Sequence, residues 1–150
     1  MSFKISNVLV EYQNNPLGLD EEKPRFSWRM ESDVQNTRQE KCRIKVVEEG
    51  AAGKAVWESG ELATDNSQGI VYAGESLEPC TAYQVQVTVW DNHGEQDTAE
   101  TSFETGFLNT SIDAWEGAKW IGAPRYTVCA VNRGVFILET EMKLEAGCGR

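Results

Sequence analysis

Residues 77–91, LEPCTAYQVQVTVWD, place Tyr83, Val85, Val87 and Val89 at every second position, with Gln84, Gln86 and Thr88 between them. A period of two belongs to an extended chain whose successive side chains point to opposite faces. One face is therefore core and the other meets water, which makes this segment an antiparallel strand in a sheet covered on one side. Leu77, Pro79 and Thr81 carry the same spacing back into the preceding loop, as in a chain that crosses between two sheets before starting a new strand. Tyr83 is expected to bury its ring and to hydrogen-bond its hydroxyl back to that loop.

Other segments fit the same plan. In PRFSWRM (24–30) a proline suits an edge or a strand start, and Phe26, Trp28 and Met30 share one parity, with Trp28 as the expected centrepiece of the core. Cys42, Ile44 and Val46 line a further inward face, and the N-terminus MSFKISNVLVEYQ alternates polar and apolar residues as a strand does. Shorter strands are expected at 55–58, 69–72 and 99–105. Between these runs, NNPLG (14–18), EEGAAGK (48–54) and DNHGEQD (91–97) supply the residues that turns require. About seven short strands at this spacing predict an all-β, two-sheet immunoglobulin-like sandwich.

The remaining totals exclude more than they identify. A formal net charge of −10 repels phosphate backbones and anionic headgroups, so neither nucleic acid nor a membrane is an expected partner. No apolar run has the length of a membrane helix, and the N-terminus reads as a strand where a secretory signal would carry a continuous apolar stretch, so a cytoplasmic location is expected. Cys42, Cys80, Cys129 and Cys148 form no C-x-x-C pair, and His93, the sole histidine, is far from them in sequence. Reduced thiols are expected, with a Cys42–Cys80 bridge as the alternative.

Two features tie the pattern to known families. SW at 27–28 and LEPCTAY at 77–83 resemble the buried tryptophan and the L-x-P-x-T-x-Y corner of fibronectin type III domains. Taken together, VEYQNNPLGLDEEKPRFSWRMES (10–32), YQVQVTVWDNHG (83–94), FETGFL (103–108) and AKWIGAP (118–124) resemble the N-terminal region of bacterial α-L-rhamnosidases. The residues that carry this likeness are Glu11, Tyr12, Asn15, Pro16 and Gly18, then Pro24, Phe26, Ser27 and Trp28, then the two closing motifs.

The strand pattern gives a fibronectin type III-like sandwich over 1–106, the apolar anchors Trp115, Trp120 and Ile121 give a packed linker at 107–127, and the resemblance implies that 128–150 are the truncated first strands of a following β-sandwich. On that reading VFILETEMKL, within 135–144, is the opening strand of the second domain, and the chain is a fragment of a longer enzyme. In that family catalysis is inverting and its carboxylates lie on a later helical barrel, so no catalytic, cofactor-binding or metal-ligating residue is assigned here and no cofactor is expected. Asp20-Glu21-Glu22 and Glu48-Glu49 read as solvated turn acids, and Asp91 to Asp97 as a hairpin turn whose oxygens do not follow a calcium-loop spacing.

The expected role is a non-catalytic accessory module that braces the catalytic region, with the downstream domains of the same enzyme as partners. The alternatives are a carbohydrate-binding module or a stand-alone protein-interaction domain. Trp57, Trp90, Trp115 and Trp120 are the aromatic candidates for weak carbohydrate contact, against packing between domains.

Overall fold

The computed structural model describes residues 3–50 and 53–119. The strand expected at 135–144, the domain start expected at 128–150, Trp120, Ile121, Cys129 and Cys148 lie outside the described residues.

Where apolar side chains alternate, the chain forms strands: β1 (Phe3–Val10), β2 (Arg25–Ser32), β3 (Gln39–Glu48), β4 (Ala55–Glu58), β5 (Ile70–Val71), β6 (Ala82–Asp91) and β7 (Gln96–Glu104). They pair antiparallel into a sheet of order β1-β2-β5 and a second of order β4-β3-β6-β7. This is the two-layer solution to burying one face of each sheet. In β6 the expected inward set, Tyr83, Val85, Val87 and Val89, is fully buried, as are Cys42, Ile44 and Val46 opposite it on β3. The paired registers Cys42 with Val89, Ile44 with Val87 and Val46 with Val85 line up these apolar rows across the sheet.

Five rings run through the core in sequence. Tyr72 meets Trp57 edge-on at 5.2 Å, Trp57 stacks on Phe26 at 6.1 Å, Phe26 tilts against Phe103 at 6.4 Å, and Phe103 stacks on Tyr83 at 5.1 Å. Contacts of this kind each add about 0.5–1.5 kcal/mol beyond the area they bury. The centrepiece is thus Phe26, whereas Trp28 is buried to one side of the ring chain, where its Nε1 donates to Gln39 Oε1 at 3.0 Å. Gln39, only 2% exposed, also donates from Nε2 to the carbonyls of Thr64 and Asn66, both at 2.9 Å, and so holds the loop before β5 against the sandwich. A buried amide is stable here because its oxygen and both its amide protons are paired.

Strict alternation fails at two places, for one reason. In β1, Ile5 points inward, but so do Val8 and Val10, because a bulge between Ser6 and Leu9 with Asn7 at φ 49° changes the phase. A second irregularity between Gln39 and Lys41 turns both Gln39 and Cys42 inward.

One reading of side-chain environment needs correction. Thr88 lies on the outer face of β6 as expected, yet it is 4% exposed, since Arg43 and Thr98 flank it in the sheet and its hydroxyl bonds that of Thr98 at 2.9 Å. Trp57 is partly exposed, as its position suggests, and its ring packs between those of Phe26 and Tyr72. The Cys42–Cys80 alternative is also overturned: both are free thiols. Cys42 sits opposite Val89 on β6 while Cys80 precedes Tyr83, a strand separation of about 20 Å at the usual rise, far beyond disulfide reach. Burial pushes the Cys42 thiol up to about 11, which keeps it neutral and unreactive.

Phe26→Ala is expected to lower stability by about 3–5 kcal/mol through loss of the middle ring, against about 1–3 kcal/mol for Tyr83→Phe, which strands one buried donor. Urea denaturation of both variants checks the order; equal, negligible shifts would place the core elsewhere.

Candidate functional site

Of the residues shared with the resembled family, Asn15, Pro16, Gly18 and the FETG segment meet at one end of the sandwich, around the segment by which the chain leaves it, while Trp28 bonds Gln39 toward the other end and the motif at 120–124 lies outside the described residues. After β1, Glu11 and Tyr12 take left-handed backbone angles (φ 48° and 61°), and Val10 and Gln13 exchange backbone hydrogen bonds at 3.0 and 2.9 Å. The chain reverses, and residues 15–20 run as a strap along the outer edge of β7.

That edge would otherwise present unpaired backbone groups. Asn15 Oδ1 accepts from Thr101 Oγ1 at 3.0 Å and from the Ser102 amide at 3.1 Å. The Pro16 carbonyl accepts from the Glu104 amide at 3.0 Å, and the Leu19 amide donates to the Glu104 carbonyl at 2.8 Å. The Gly106 amide then donates to the Leu19 carbonyl at 2.9 Å, and Asp20 Oδ1 accepts from the Leu108 amide at 3.0 Å.

The opposite flank of the exit segment is bound to the corner before β6. Thr105, 1% exposed, is the link: its hydroxyl donates to the Glu78 carbonyl at 2.6 Å and accepts from the Thr81 amide at 3.0 Å. Its own amide donates to the Thr81 carbonyl at 3.0 Å, and the Cys80 amide donates to the Gly106 carbonyl at 2.9 Å. Tyr83 completes the corner, with its hydroxyl accepting from the Glu78 amide at 2.8 Å, and burial raises that phenol above its ordinary value. Residues 104–108 are thus hydrogen-bonded on both sides, to the strap and to the corner. Gly106 must be glycine for reasons of space: a Cβ there would run into the Asp20 carboxylate and press on the Gly18 carbonyl at 3.0 Å.

A second lock holds the start of the strap. Glu11 accepts from the Arg25 amide at 2.7 Å and from the Arg25 guanidinium at 3.1 and 2.7 Å, a bidentate pair. The Arg25 hydrogen bond is the main reason the Glu11 carboxyl is held below its usual range. Past the exit, Leu108 packs on the core, Phe107 meets Trp115 at 6.2 Å, and Ile112–Trp115 form one 3₁₀ turn capped by Ser111.

The other candidates separate cleanly. Glu21, Glu22 and Glu49 are exposed, but Asp20 is the acceptor that pins the exit, a role its place in an acidic run concealed. Asp91 is buried and its Oδ1 accepts from the amides of His93 and Glu95 at 2.9 and 2.8 Å, which is turn chemistry. No group of three or more potential metal ligands occurs among the described residues. Trp90 is partly exposed, with Lys41 Nζ 4.8 Å and Arg43 Cζ 5.5 Å from its ring centre.

The fold and the clasp that strap and corner form around residues 104–108 together define an immunoglobulin-like β-sandwich module with a fixed exit. Residues 5–109 match the family described as Rha78A-like, N-terminal immunoglobulin domain, and the chain belongs to that family. A curated relative, the alpha-L-rhamnosidase of Streptomyces avermitilis, is 39% identical over 128 residues, which cover 82% of this chain and 12% of the relative. The solved structure of the Streptomyces avermitilis alpha-L-rhamnosidase complexed with L-rhamnose superposes with a TM-score of 0.72 at 37% identity over 82% of this chain and 12% of that one. That of the alpha-L-rhamnosidase from Dictyoglumus thermophilum gives 0.67 at 28% identity, over 75% of this chain and 13% of that one. The chain therefore spans about an eighth of the length of the relatives it matches.

Thr105→Val is expected to cost about 2–3 kcal/mol by leaving the Glu78 carbonyl and the Thr81 amide unpaired, and Asp20→Ala about 1 kcal/mol. Gly106→Ala displaces the Asp20 carboxylate, so combining it with Asp20→Ala should add less than the sum of the two in urea denaturation. Because the Glu11 carboxyl is depressed in the folded state, its contribution is present above the ordinary carboxylate value and is lost as pH falls through the folded one. Glu11→Gln should therefore lower the urea midpoint at pH 7 and match the parent in strong acid; a pH-independent difference would contradict the pairing.

Proposed function

We propose that this chain is the non-catalytic N-terminal module of an inverting α-L-rhamnosidase, and that it braces the catalytic region by fixing the direction in which the polypeptide leaves the first sandwich. The observation that carries the reading is the exit segment 104–108, hydrogen-bonded on one flank to the strap and on the other to the corner. A module that only tethered its neighbour would have no use for such an exit, since inter-domain linkers are ordinarily exposed and weakly held.

The names of the relatives support the parent activity, and the likeness covers the part of those enzymes that this chain matches. Downstream domains of the same enzyme are then the partners. We place the protein in the cytoplasm, a compartment suited to the unbridged thiols of Cys42 and Cys80.

Two assays test this. The 150-residue chain should release nothing from an aryl α-L-rhamnoside; turnover that disappears on mutating one of its own acids would overturn the non-catalytic role. In the Streptomyces avermitilis enzyme, replacing the matching segment by residues 5–109 should retain activity, and the same chimera with Thr105→Val should inactivate faster on heating at unchanged initial kcat. Equal inactivation rates would remove the bracing role.

A further inference from the structure

The ring of Tyr12 takes no part in the core or in the hydrogen bonds that hold the exit. The residue is 60% exposed, and its left-handed φ of 61° is the one that the two-residue turn closed by Val10 and Gln13 requires at its second position, so the turn fixes where the ring stands. Glu11 beside it and Asn7 at the β1 bulge share that region, at φ 48° and 49°. The Tyr12 ring is also held from one side: the Arg25 guanidinium, clamped by Glu11, lies 5.3 Å from its centre.

The ring forms one wall of an open depression of about 200 Å³ on the three-stranded sheet, lined also by Asn7, Leu9, Trp28, Arg29 and Gln68. The side chains of Asn7, Arg29 and Gln68 are exposed, and none makes a hydrogen bond or ion pair among the described residues. The backbone under them is nonetheless set. Gln68 donates its amide to Asn66 Oδ1 at 3.0 Å, Ser67 accepts from the Trp28 amide at 3.0 Å, and Gly69 donates to Ser27 Oγ at 3.0 Å. Gln39 anchors the same loop from inside.

We propose that this depression is a subsite for a single pyranose ring. The apolar C–H face of the sugar packs on Tyr12 and Leu9, and the hydroxyls bond the planar amides of Asn7 and Gln68 and the guanidinium of Arg29. A pyranose presents both an apolar face and a rim of hydroxyls, which is the combination this lining meets. Drug-sized ligands occupy pockets of roughly 300–1,000 Å³, so a 200 Å³ depression takes one ring and not an extended chain. The pairing of Arg25 with Glu11 and the fixed loop carrying Gln68 set the ring and the backbone in advance, so the ordering cost of binding falls on the side chains of Asn7, Arg29 and Gln68 and keeps the affinity weak. The subsite is independent of the bracing role, because no residue of the exit segment contributes to it.

The test is an amide-resolved NMR titration of the full 150-residue chain with methyl α-L-rhamnopyranoside, methyl α-D-glucopyranoside and D-galacturonate. At least one should give saturable shifts, in the millimolar range, centred on the amides of Asn7, Leu9, Tyr12, Arg29 and Gln68. Tyr12→Ala should weaken that binding about tenfold or more, and Trp90→Ala should leave it unchanged. Arg29→Ala and Gln68→Ala, which remove exposed side chains that bond nothing else among the described residues, should each weaken it too and serve if Tyr12→Ala does not fold. Absence of saturable shifts at these amides with all three sugars, shifts centred instead on Trp90, or unaltered binding by Arg29→Ala and Gln68→Ala would overturn the proposal.

Discussion

The hydroxyl of Thr105 is the smallest group on which the arrangement depends. It donates to the carbonyl of Glu78 and accepts from the amide of Thr81, so it joins the corner that opens β6 to the segment that closes β7. Everything around it follows from that junction. The corner can turn because Tyr83 and Thr105 together satisfy the backbone groups it exposes, and the exit can be buried because its amides are paired on both flanks. Residues 15–20, 78–83 and 101–108 are distant in sequence, and their convergence makes this end of the sandwich a single cooperative unit.

Most of the sandwich was legible in the pattern of residues, because a half-buried strand writes its burial at every second position. β6 and β3 show this most clearly, and β4 falls at Ala55–Glu58 as the pattern indicates. β5 proves shorter, at Ile70–Val71, and β7 begins earlier, at Gln96, where polar side chains gave no alternation to read. The bulge at Asn7 was invisible because a left-handed residue changes phase without changing composition. Thr88 was read as wet because its burial comes from neighbours on other strands, Arg43 and Thr98, which no local pattern contains.

The clasp was legible only in part. Motif likeness drew attention to Asn15, Pro16, Gly18 and the FETG segment without saying what they do. Asp20 was absorbed into an acidic run, and only its contact with Leu108, far along the chain, distinguishes it from Glu21 and Glu22. Trp57 and Tyr72 escaped for a similar reason: each lies on a short strand or just past one, too brief for a period to declare which face is buried. Side-chain roles that depend on long-range partners are the ones a linear pattern leaves open.

A rigid exit is what separates a bracing module from a tethered one, and the backbone amides report on it directly. Hydrogen exchange on the 150-residue chain under native conditions would compare the amides of Leu19, Glu104, Thr105, Gly106 and Leu108 with those of Val85 and Val87 in the middle of β6. The account predicts that the exit amides open only with global unfolding, and so share the protection of the β6 core. Exchange of the exit amides by a separate, low-energy opening while β6 stays protected would contradict it.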